Sequence, residues 1–328
     1  MKKKTKLFLI AFFVFLLWLF FGSAPKASKI EWGTIFSQKH AQNLGLDWKK
    51  VYLSLLDDLN FKNIKIITHW DLIEPEKGKF DFQDLDWQIK EAEKRNVKII
   101  LVIGMKTGRW PECHIPNWIT QSSKLKSQNY ENEVLNFLTT IIERYKDSKA
   151  IFAWQVENEP FLPFGECPKI EKDFVKREIN LVKSLDKRPI IFADSGEFSF
   201  WIEAAKLGDI VSTTLHRRVY FKEIKTYIKY PFPPNFYWLK KKFIETFFGK
   251  KVIVGELQAE PWCKNLLYNC DPKEQEITMD FEKFKENIQF AKRTGFDTFY
   301  LWGGEWWYWL KENNQNLIWE EVKNLLKL

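Results

Sequence analysis

The chain has 328 residues, of which 45% are hydrophobic and 29% are charged, and it shows little clustering of glycine or proline. This globular composition excludes a disordered or fibrous chain. The formal net charge is +8, but the lysines are scattered among carboxylates along the helical segments. That arrangement is typical of solvated helix faces rather than of a nucleic-acid surface, so we expect no nucleic-acid partner.

The N-terminus carries a hydrophobic targeting segment. An unbroken apolar run extends from Leu7 to Phe21 and follows four basic residues, Lys2, Lys3, Lys4 and Lys6. A run of roughly 15 residues after a positive flank fits either a secretory signal peptide or a short membrane anchor. Pro25 disfavours cleavage after Ala24, so we predict that residues 1–28 form an uncleaved, single-pass anchor. Residues 29–328 would then be an extracytoplasmic domain in the cell membrane, or a secreted one if cleavage occurs.

After residue 28, short β-rich runs alternate with amphipathic helical segments. The predicted strands, in chain order, are Ile30–Phe36, Ile64–His69, Lys98–Ile103, Ala150–Val156, Pro189–Ala193, Ile210–Leu215, Lys251–Gly255 and Asp297–Trp302. The predicted helical segments are Trp48–Leu59, Leu85–Arg95, Glu131–Tyr145, Glu171–Leu185, Phe200–Leu207, Phe221–Phe248, Met279–Arg293 and Leu317–Leu326.

This alternation predicts an α/β fold. Continuously apolar strands such as residues 98–103 are typical of a parallel sheet that is buried on both faces. Eight strand–helix units in one chain favour a closed (β/α)8 TIM barrel over an open doubly wound sheet. Glycine-rich nucleotide-binding motifs do not follow any of the strands, which argues against a nucleotide-binding protein. We therefore expect one barrel domain, residues 29–328, preceded by the hydrophobic segment, and a monomer.

The four cysteines, Cys113, Cys167, Cys263 and Cys270, all fall in predicted loops. They allow three disulfide pairings, and four free thiols are the alternative. Cys263–Cys270 would close a short loop, whereas Cys113–Cys167 would join two successive barrel loops. The four histidines show no ligand spacing, so we expect neither a metal nor another cofactor.

Carboxylates follow two of the predicted strands directly. The fourth strand continues into Glu157, Asn158 and Glu159, and the seventh continues into Glu256 and, four residues later, Glu260. The carboxyl ends of all strands meet at one face of such a barrel, where active sites lie. A buried carboxylate is costly without partners, but two that arrive at the same face can act as a pair.

These residues carry a family resemblance. Asn-Glu-Pro (158–160) after the fourth strand, with Glu256 after the seventh, resembles clan A of the retaining glycoside hydrolases. That clan includes cellulase family 5, β-galactosidase family 42 and xylosidase family 39. The Trp70-to-Phe82 loop, the Arg109-to-Trp118 region and Trp302 at the end of the eighth strand are similar to features of the same families. The resemblance covers residues 30 to 310.

The resemblance implies roles for individual residues. Glu159 matches the general acid/base and Glu256 matches the nucleophile. Asn158 matches the residue that hydrogen-bonds the sugar 2-hydroxyl, and Trp302 would lie under the sugar at the cleavage point. We also expect His216, His69, Trp70 and Trp110 to contact the substrate. Lys65 stands where many clan members carry an arginine that supports the nucleophile.

Alternative roles remain open for several of these residues. Glu157 could be the acid and Glu260 the nucleophile, although we expect structural roles for both. Trp302, Trp110, His69 and His216 could belong to the core. Glu74 is expected to pin its own loop, and Glu197, in Ser-Gly-Glu after the fifth strand, could order a loop or contact substrate.

The resemblance therefore implies an O-glycosyl hydrolase that cleaves β-glycosidic bonds of a polysaccharide or glycoconjugate with retention. Aromatic residues make up 17% of the chain, with 16 tryptophans, which suits a protein that stacks sugars on aromatic faces. One alternative is a catalytically silent barrel that binds glycans, and another is a cell-surface transglycosylase that uses the same site. The sequence specifies neither the sugar nor the linkage.

Overall fold

The computed structural model describes residues 3–121 and 130–327. Eight parallel strands form a closed barrel in the order β1-β2-β3-β4-β5-β6-β9-β10. Their bounds are β1 Glu31–Phe36, β2 Asn63–Ile67, β3 Lys98–Ile103, β4 Ile151–Val156, β5 Ile190–Asp194, β6 Ile210–Leu215, β9 Lys251–Gln258 and β10 Thr298–Trp302. The barrel closes where Glu31 of β1 pairs with Thr298 of β10. The predicted TIM barrel is confirmed.

Helices surround the barrel. They are α1 Lys3–Phe21, α2 Gln38–Asn43, α3 Trp48–Asp57, α4 Trp70–Ile73, α5 Gln83–Lys94, α6 Asn117–Thr120, α7 Glu131–Tyr145, α8 Lys172–Leu185, α9 Ile202–Leu207, α10 Pro234–Phe248, α11 Pro272–Thr278, α12 Phe281–Lys292, α13 Gly304–Glu312 and α14 Leu317–Lys327. A short 3-10 turn covers Leu267–Asn269.

Two apolar layers hold the strands in place. Seven strands each contribute one side chain to a core inside the barrel, namely Ile35, Ile67, Ile100, Ala153, Ile191, Ile253 and Tyr300. The alternate positions, such as Ile99 and Leu101 of β3, join a larger core between the strands and the helices. Because both faces of each strand are buried, the strands appear as continuous apolar runs in the sequence.

The segment predicted as one helical region, Phe221–Phe248, is different in the structure. Its first part belongs to an antiparallel hairpin of β7 (Arg218–Phe221) and β8 (Thr226–Lys229). A loop from Tyr230 to Pro233 then leads into α10. The prediction was wrong for the hairpin because its turn has Lys225 at φ 51°, without the glycine that normally marks such a turn.

The helix α1 ends against α10. The rings of Trp18 and Trp238 meet edge to face with their centroids 5.7 Å apart, and the Asn235 amide donates to the Trp18 carbonyl oxygen at 2.8 Å. Across the described ranges, no helix is found that is long and apolar enough to span a membrane. Attachment of the protein to a membrane stays a prediction.

Both disulfides lie in loops at the carboxyl ends of the strands. Cys113 in the loop after β3 is bonded to Cys167 in the loop after β4, and Cys263 is bonded to Cys270 in the loop after β9. Of the three pairings that the sequence allows, this is the one that joins two successive barrel loops.

Candidate active site

A cavity of about 1090 Å³ opens at the carboxyl ends of the strands. The loop after β3 contributes Arg109, Trp110 and Glu112 to its wall, and β10 contributes Trp302. The β7–β8 hairpin and the long loop after β9, residues 260–269, form the remaining walls. Because all of these loops follow strands, the cavity lies at the face where barrel enzymes carry their chemistry.

A bulge in β9 turns Glu256 toward the inside of the barrel. Strand β6 pairs with Val254 and then with Glu256, so that Gly255 is an extra residue on β9. Val254 and Leu257, three positions apart, both pack in the outer core. Side chains before and after Gly255 therefore do not follow one continuous alternation between the inner and the outer face of the barrel. Without this extra residue, Glu256 would share the outward face of Val254.

Glu256 is held in its ionised form. Lys65 of β2, which is 1% exposed, donates to the Glu256 carboxylate at 3.0 Å, and His216 Nε2 lies 3.9 Å from its other oxygen. Burial by itself would raise the pKa of Glu256, but the positive charges of Lys65 and Arg109 outweigh it and hold the pKa below its ordinary value. Burial lowers the pKa of His216 to about 4, so its ring is neutral near pH 7.

The surroundings of Glu159 favour its protonated form. Burial raises the pKa of its carboxyl well above the ordinary value, and the negative charges of Glu256 and Glu112 raise it further. Its carboxyl lies 3.5 Å from the Thr214 hydroxyl. Thr214 is the register partner of Glu256 across the β6–β9 pair, so the two glutamates lie on either side of one threonine.

Asn158 precedes Glu159 in the chain and shares Lys65 with Glu256. Its amide oxygen accepts from Gln155 at 2.9 Å and from Lys65 at 3.5 Å, and Lys65 also holds Glu256. Both contacts fall on the oxygen, which leaves the amide nitrogen as the group that can donate to a ligand.

Three of the residues predicted to contact the substrate lie at the cavity or beside Glu256, namely Trp302, Trp110 and His216. Trp302 and Trp110 line the cavity, and the Trp110 ring is 40% exposed. His216 packs edge to face on Trp302, with the ring centroids 5.3 Å apart. The Arg109 guanidinium lies 4.6 Å from the centre of the Trp302 ring.

Two other predicted contacts do not fit the structure. The Trp70 ring is completely buried, stacks on Phe137 and donates to Glu74 at 2.7 Å, so it has no surface for a substrate. His69 is 4% exposed, lies 3.1 Å from the Ser37 hydroxyl and packs against His114. Neither side chain lines the cavity at the carboxyl ends of the strands, and His69 instead lines a smaller cavity between α2 and α5.

The alternative carboxylates have structural partners. Glu157 accepts from the backbone N–H groups of Met105 and Lys106 at 3.0 and 2.6 Å. Glu260 forms a buried ion pair with Arg109 and lies 3.4 Å from His40. Glu74 accepts from the Gly78 backbone at 2.8 Å, as expected of a residue that pins its own loop.

Sequence reasoning missed several residues of the site. Thr214, Trp262 and Glu112 were not predicted, although Trp262 packs on both His216 and Trp302. Their positions depend on the β6–β9 register and on loop shape, for which the sequence carries no local signal. Glu112 and Trp262 had one usable clue, since each lies next to a cysteine in a loop at the active face.

Two groups of described side chains have the spacing of metal ligands, but in one of them Cys263 and Cys270 form a disulfide. His40, Glu260 and Glu305 have ligand atoms within 4.8 Å of one another. However, Arg109 donates to both carboxylates, at 3.1 Å in the case of Glu305. The guanidinium charge already neutralises these carboxylates, so a cation would have to displace it.

Comparison with known proteins agrees with this geometry. The sequence profile of glycosyl hydrolase family 10 matches residues 23–177. Mannan endo-1,4-beta-mannosidase 1 of Arabidopsis thaliana is 32% identical over 123 residues, which are 34% of this chain and 30% of that protein. Beta-galactosidase LacZ of Lactobacillus acidophilus is 24% identical over 189 residues, which are 50% of this chain and 27% of that protein. These similarities support a TIM-barrel glycosidase of clan A.

Solved structures share the barrel fold. GH5_18 from Streptomyces cattleya, in complex with GlcNAc, superposes with a TM-score of 0.58 at 11% identity, over 84% of this chain and 70% of that one. The beta-galactosidase from Halorubrum lacusprofundi gives 0.58 at 14% identity, over 83% and 52%. The matched stretch spans less than a third of each of the two curated relatives, and the family 10 match includes Glu159 but ends before Glu256.

Proposed function

We propose that this protein hydrolyses β-glycosidic bonds of a polysaccharide or glycoconjugate by double displacement. The proposal rests on one observation, namely that the pKa values of the Glu159 and Glu256 carboxyls are shifted in opposite directions. The pKa of Glu159 is raised by burial and by the charge of Glu256, while Lys65 keeps the pKa of Glu256 low. A retaining glycosidase needs this combination, a protonated acid beside an ionised nucleophile.

The proposed reaction has two steps. In the first, Glu256 attacks the anomeric carbon while Glu159 gives its proton to the leaving oxygen, which forms a covalent glycosyl-enzyme. In the second, Glu159, now ionised, takes a proton from water as the water attacks the same carbon and releases Glu256. Asn158 would donate its amide N–H to the sugar 2-hydroxyl in both steps.

The size and lining of the cavity favour a polymeric substrate. Its volume of about 1090 Å³ is at the upper end of the range for small-molecule pockets, which is roughly 300–1,000 Å³. Trp110, Trp262 and Trp302 all line it, so it offers more than one aromatic ring to a chain of sugars. Since the named relatives are mannan endo-1,4-beta-mannosidases and beta-galactosidases, β-mannan and β-galactosides are the first substrates to test.

The test is chemical rescue of two alanine variants. Glu256→Ala should lose activity by a factor on the order of 10⁴ or more, and azide should restore turnover with an α-glycosyl azide as the product. Glu159→Ala should slow substrates with poor leaving groups far more than aryl glycosides with good ones. In that variant azide should give the β-glycosyl azide.

The control is Glu166→Ala, an exposed carboxylate in the loop after β4, which should keep wild-type activity. If Glu256→Ala remains active while Glu260→Ala is inactive and is rescued by azide, Glu260 is the nucleophile and the assignment proposed here is wrong.

A further inference from the structure

A carboxyl on the cavity wall, that of Glu112, has no hydrogen-bond partner among the described residues. Glu112 lines the cavity wall and is 9% exposed. In the part of the chain that the structure describes, its carboxyl oxygens form no hydrogen bond. Neither oxygen is among the fully buried side-chain atoms that lack a partner, so the carboxyl remains accessible from the cavity, where a ligand can bind it.

The cations near Glu112 are bound to other groups. Lys106 donates to the backbone oxygens of Glu159 and Leu162 at 3.0 and 2.7 Å. Arg109 is shared between two other carboxylates, and Lys65 holds Glu256. Burial and the charge of Glu256 raise the pKa of Glu112 to about 7, although these three positive charges act in the opposite direction from a distance. None of the three cations donates a hydrogen bond to Glu112. A direct partner for Glu112 must therefore come from the cavity.

The backbone fixes Glu112 in a strained position. Its φ is 74°, a region that non-glycine residues seldom adopt. Its N–H donates to the Arg109 oxygen at 2.5 Å and its carbonyl accepts from Thr107 at 3.0 Å. Gly165 packs so closely that a β-carbon there would lie 2.4 Å from the Glu112 β-carbon. Strain of this kind persists only where the surroundings enforce it, and it occurs most often at functional sites.

A disulfide next to Glu112 joins the loop after β3 to the loop after β4. Cys113, the next residue, is bonded to Cys167, two positions after Gly165. Glu112 is therefore clamped between two covalently joined loops, with its carboxyl facing the cavity. This construction holds a carboxyl rigidly, although nothing in the described protein binds it.

We propose that Glu112 binds hydroxyl groups of the sugar substrate and thereby contributes to sugar specificity. The inference rests on the proposed glycosidase function. Glu112 shares the cavity wall with Trp110 and Trp302, so a sugar ring that stacks on an aromatic face turns the hydroxyls at its edge toward this carboxyl. An ionised carboxyl accepts hydrogen bonds from hydroxyl groups, and a protonated one both donates and accepts, so either form of Glu112 can bind a sugar hydroxyl.

The test compares Glu112→Gln and Glu112→Ala with Glu166→Gln. Glu166 is the matched control, because it lies beside Cys167 in the partner loop but is exposed and does not line the cavity. For the best substrate, kcat/KM should fall about tenfold or more in Glu112→Ala and by less in Glu112→Gln, which keeps one acceptor. Glu166→Gln should match the wild type.

Two further measurements separate binding from a structural role. The thermal midpoint of Glu112→Gln should equal or exceed that of the wild type, because the amide removes a buried, unpaired acid. On a set of monodeoxy aryl glycosides, the Glu112→Ala penalty should disappear for the sugar that lacks the bound hydroxyl, as in a double-mutant cycle.

Three results would overturn the proposal. If the wild type is active and all three variants match it, Glu112 does not contact substrate, although the glycosidase function stands. If Glu112→Gln lowers the thermal midpoint and slows every substrate equally, its role is structural. If the wild type neither cleaves nor binds any glycan tested, the proposed function fails, and this inference fails with it.

Discussion

Glu159 and Glu256 differ in protonation because their neighbours differ. Lys65 supplies a buried positive charge to Glu256, whereas the nearest hydrogen-bonding group to Glu159 is the neutral Thr214 hydroxyl. Lysine provides one point charge, without the two-pronged geometry of the arginine that many clan members carry at this position. This contact acts together with the charge of Arg109 to hold the pKa of Glu256 below its ordinary value.

Glu197 influences the pKa of Glu159, the proposed general acid. Its carboxyl accepts from the Tyr237 hydroxyl at 2.9 Å and lies 3.4 Å from the same Thr214 hydroxyl that reaches Glu159. Burial raises the pKa of Glu197 to about 7. Its negative charge is one of the influences that raise the pKa of Glu159. Glu197 thus orders its loop and also acts on the acid at a distance.

We predict that Glu197→Gln moves the alkaline limb of the pH–rate profile to lower pH. The reaction needs protonated Glu159, so the rate falls as the pH rises through the pKa of Glu159. Removal of a neighbouring negative charge lowers that pKa, and the fall therefore begins at a lower pH. The measurement is kcat/KM against pH.

The matched control is Glu203→Gln on α9, a carboxylate that pairs with Lys172 and Lys206 away from the cavity. An unchanged alkaline limb in Glu197→Gln would show that Glu197 does not act on Glu159.

At the scale of elements, the bulge in β9 is the feature on which the site depends most. The sequence predicted a strand that ends at Gly255, whereas β9 continues to Gln258. A single sequence shows where an apolar run begins, but it does not show how two strands are aligned. The position of Glu256 followed from the resemblance, while the reason that it points inward follows only from the β6–β9 register.

We predict that Gly255→Ala lowers both stability and kcat. A β-carbon at this position would lie 1.8 Å from the Ser212 hydroxyl oxygen, so either the serine must rotate or the bulge must shift, and a shifted bulge misplaces Glu256. A destabilisation of about 1–3 kcal/mol is expected from such overpacking. Thermal unfolding and steady-state kinetics measure the two effects.

Ser212→Ala combined with Gly255→Ala removes the closest contact and leaves the next at 3.2 Å. This double variant should recover part of the lost stability and kcat. If Gly255→Ala alone equals the wild type in both measurements, the bulge does not depend on glycine.

At the scale of the whole molecule, the repeated alternation of strands and helices in the sequence made the barrel predictable. The eight strands were located to within a few residues because each is an apolar run buried on both faces, and this pattern is local. The β7–β8 hairpin was missed because its alternation covers only four residues on each side of the turn. The position of Glu112 depends on Gly165 and on a disulfide between residues 54 positions apart, which no local pattern encodes.

The central claim is that the two glutamates act in sequence on one anomeric carbon. The most direct test is proton NMR of the first product formed by the wild-type protein from a β-glycoside substrate, recorded before mutarotation. Two displacements at the same carbon predict that the sugar is released as the β-anomer. If the α-anomer appears first, a single displacement by water has occurred, and Glu256 cannot be the nucleophile.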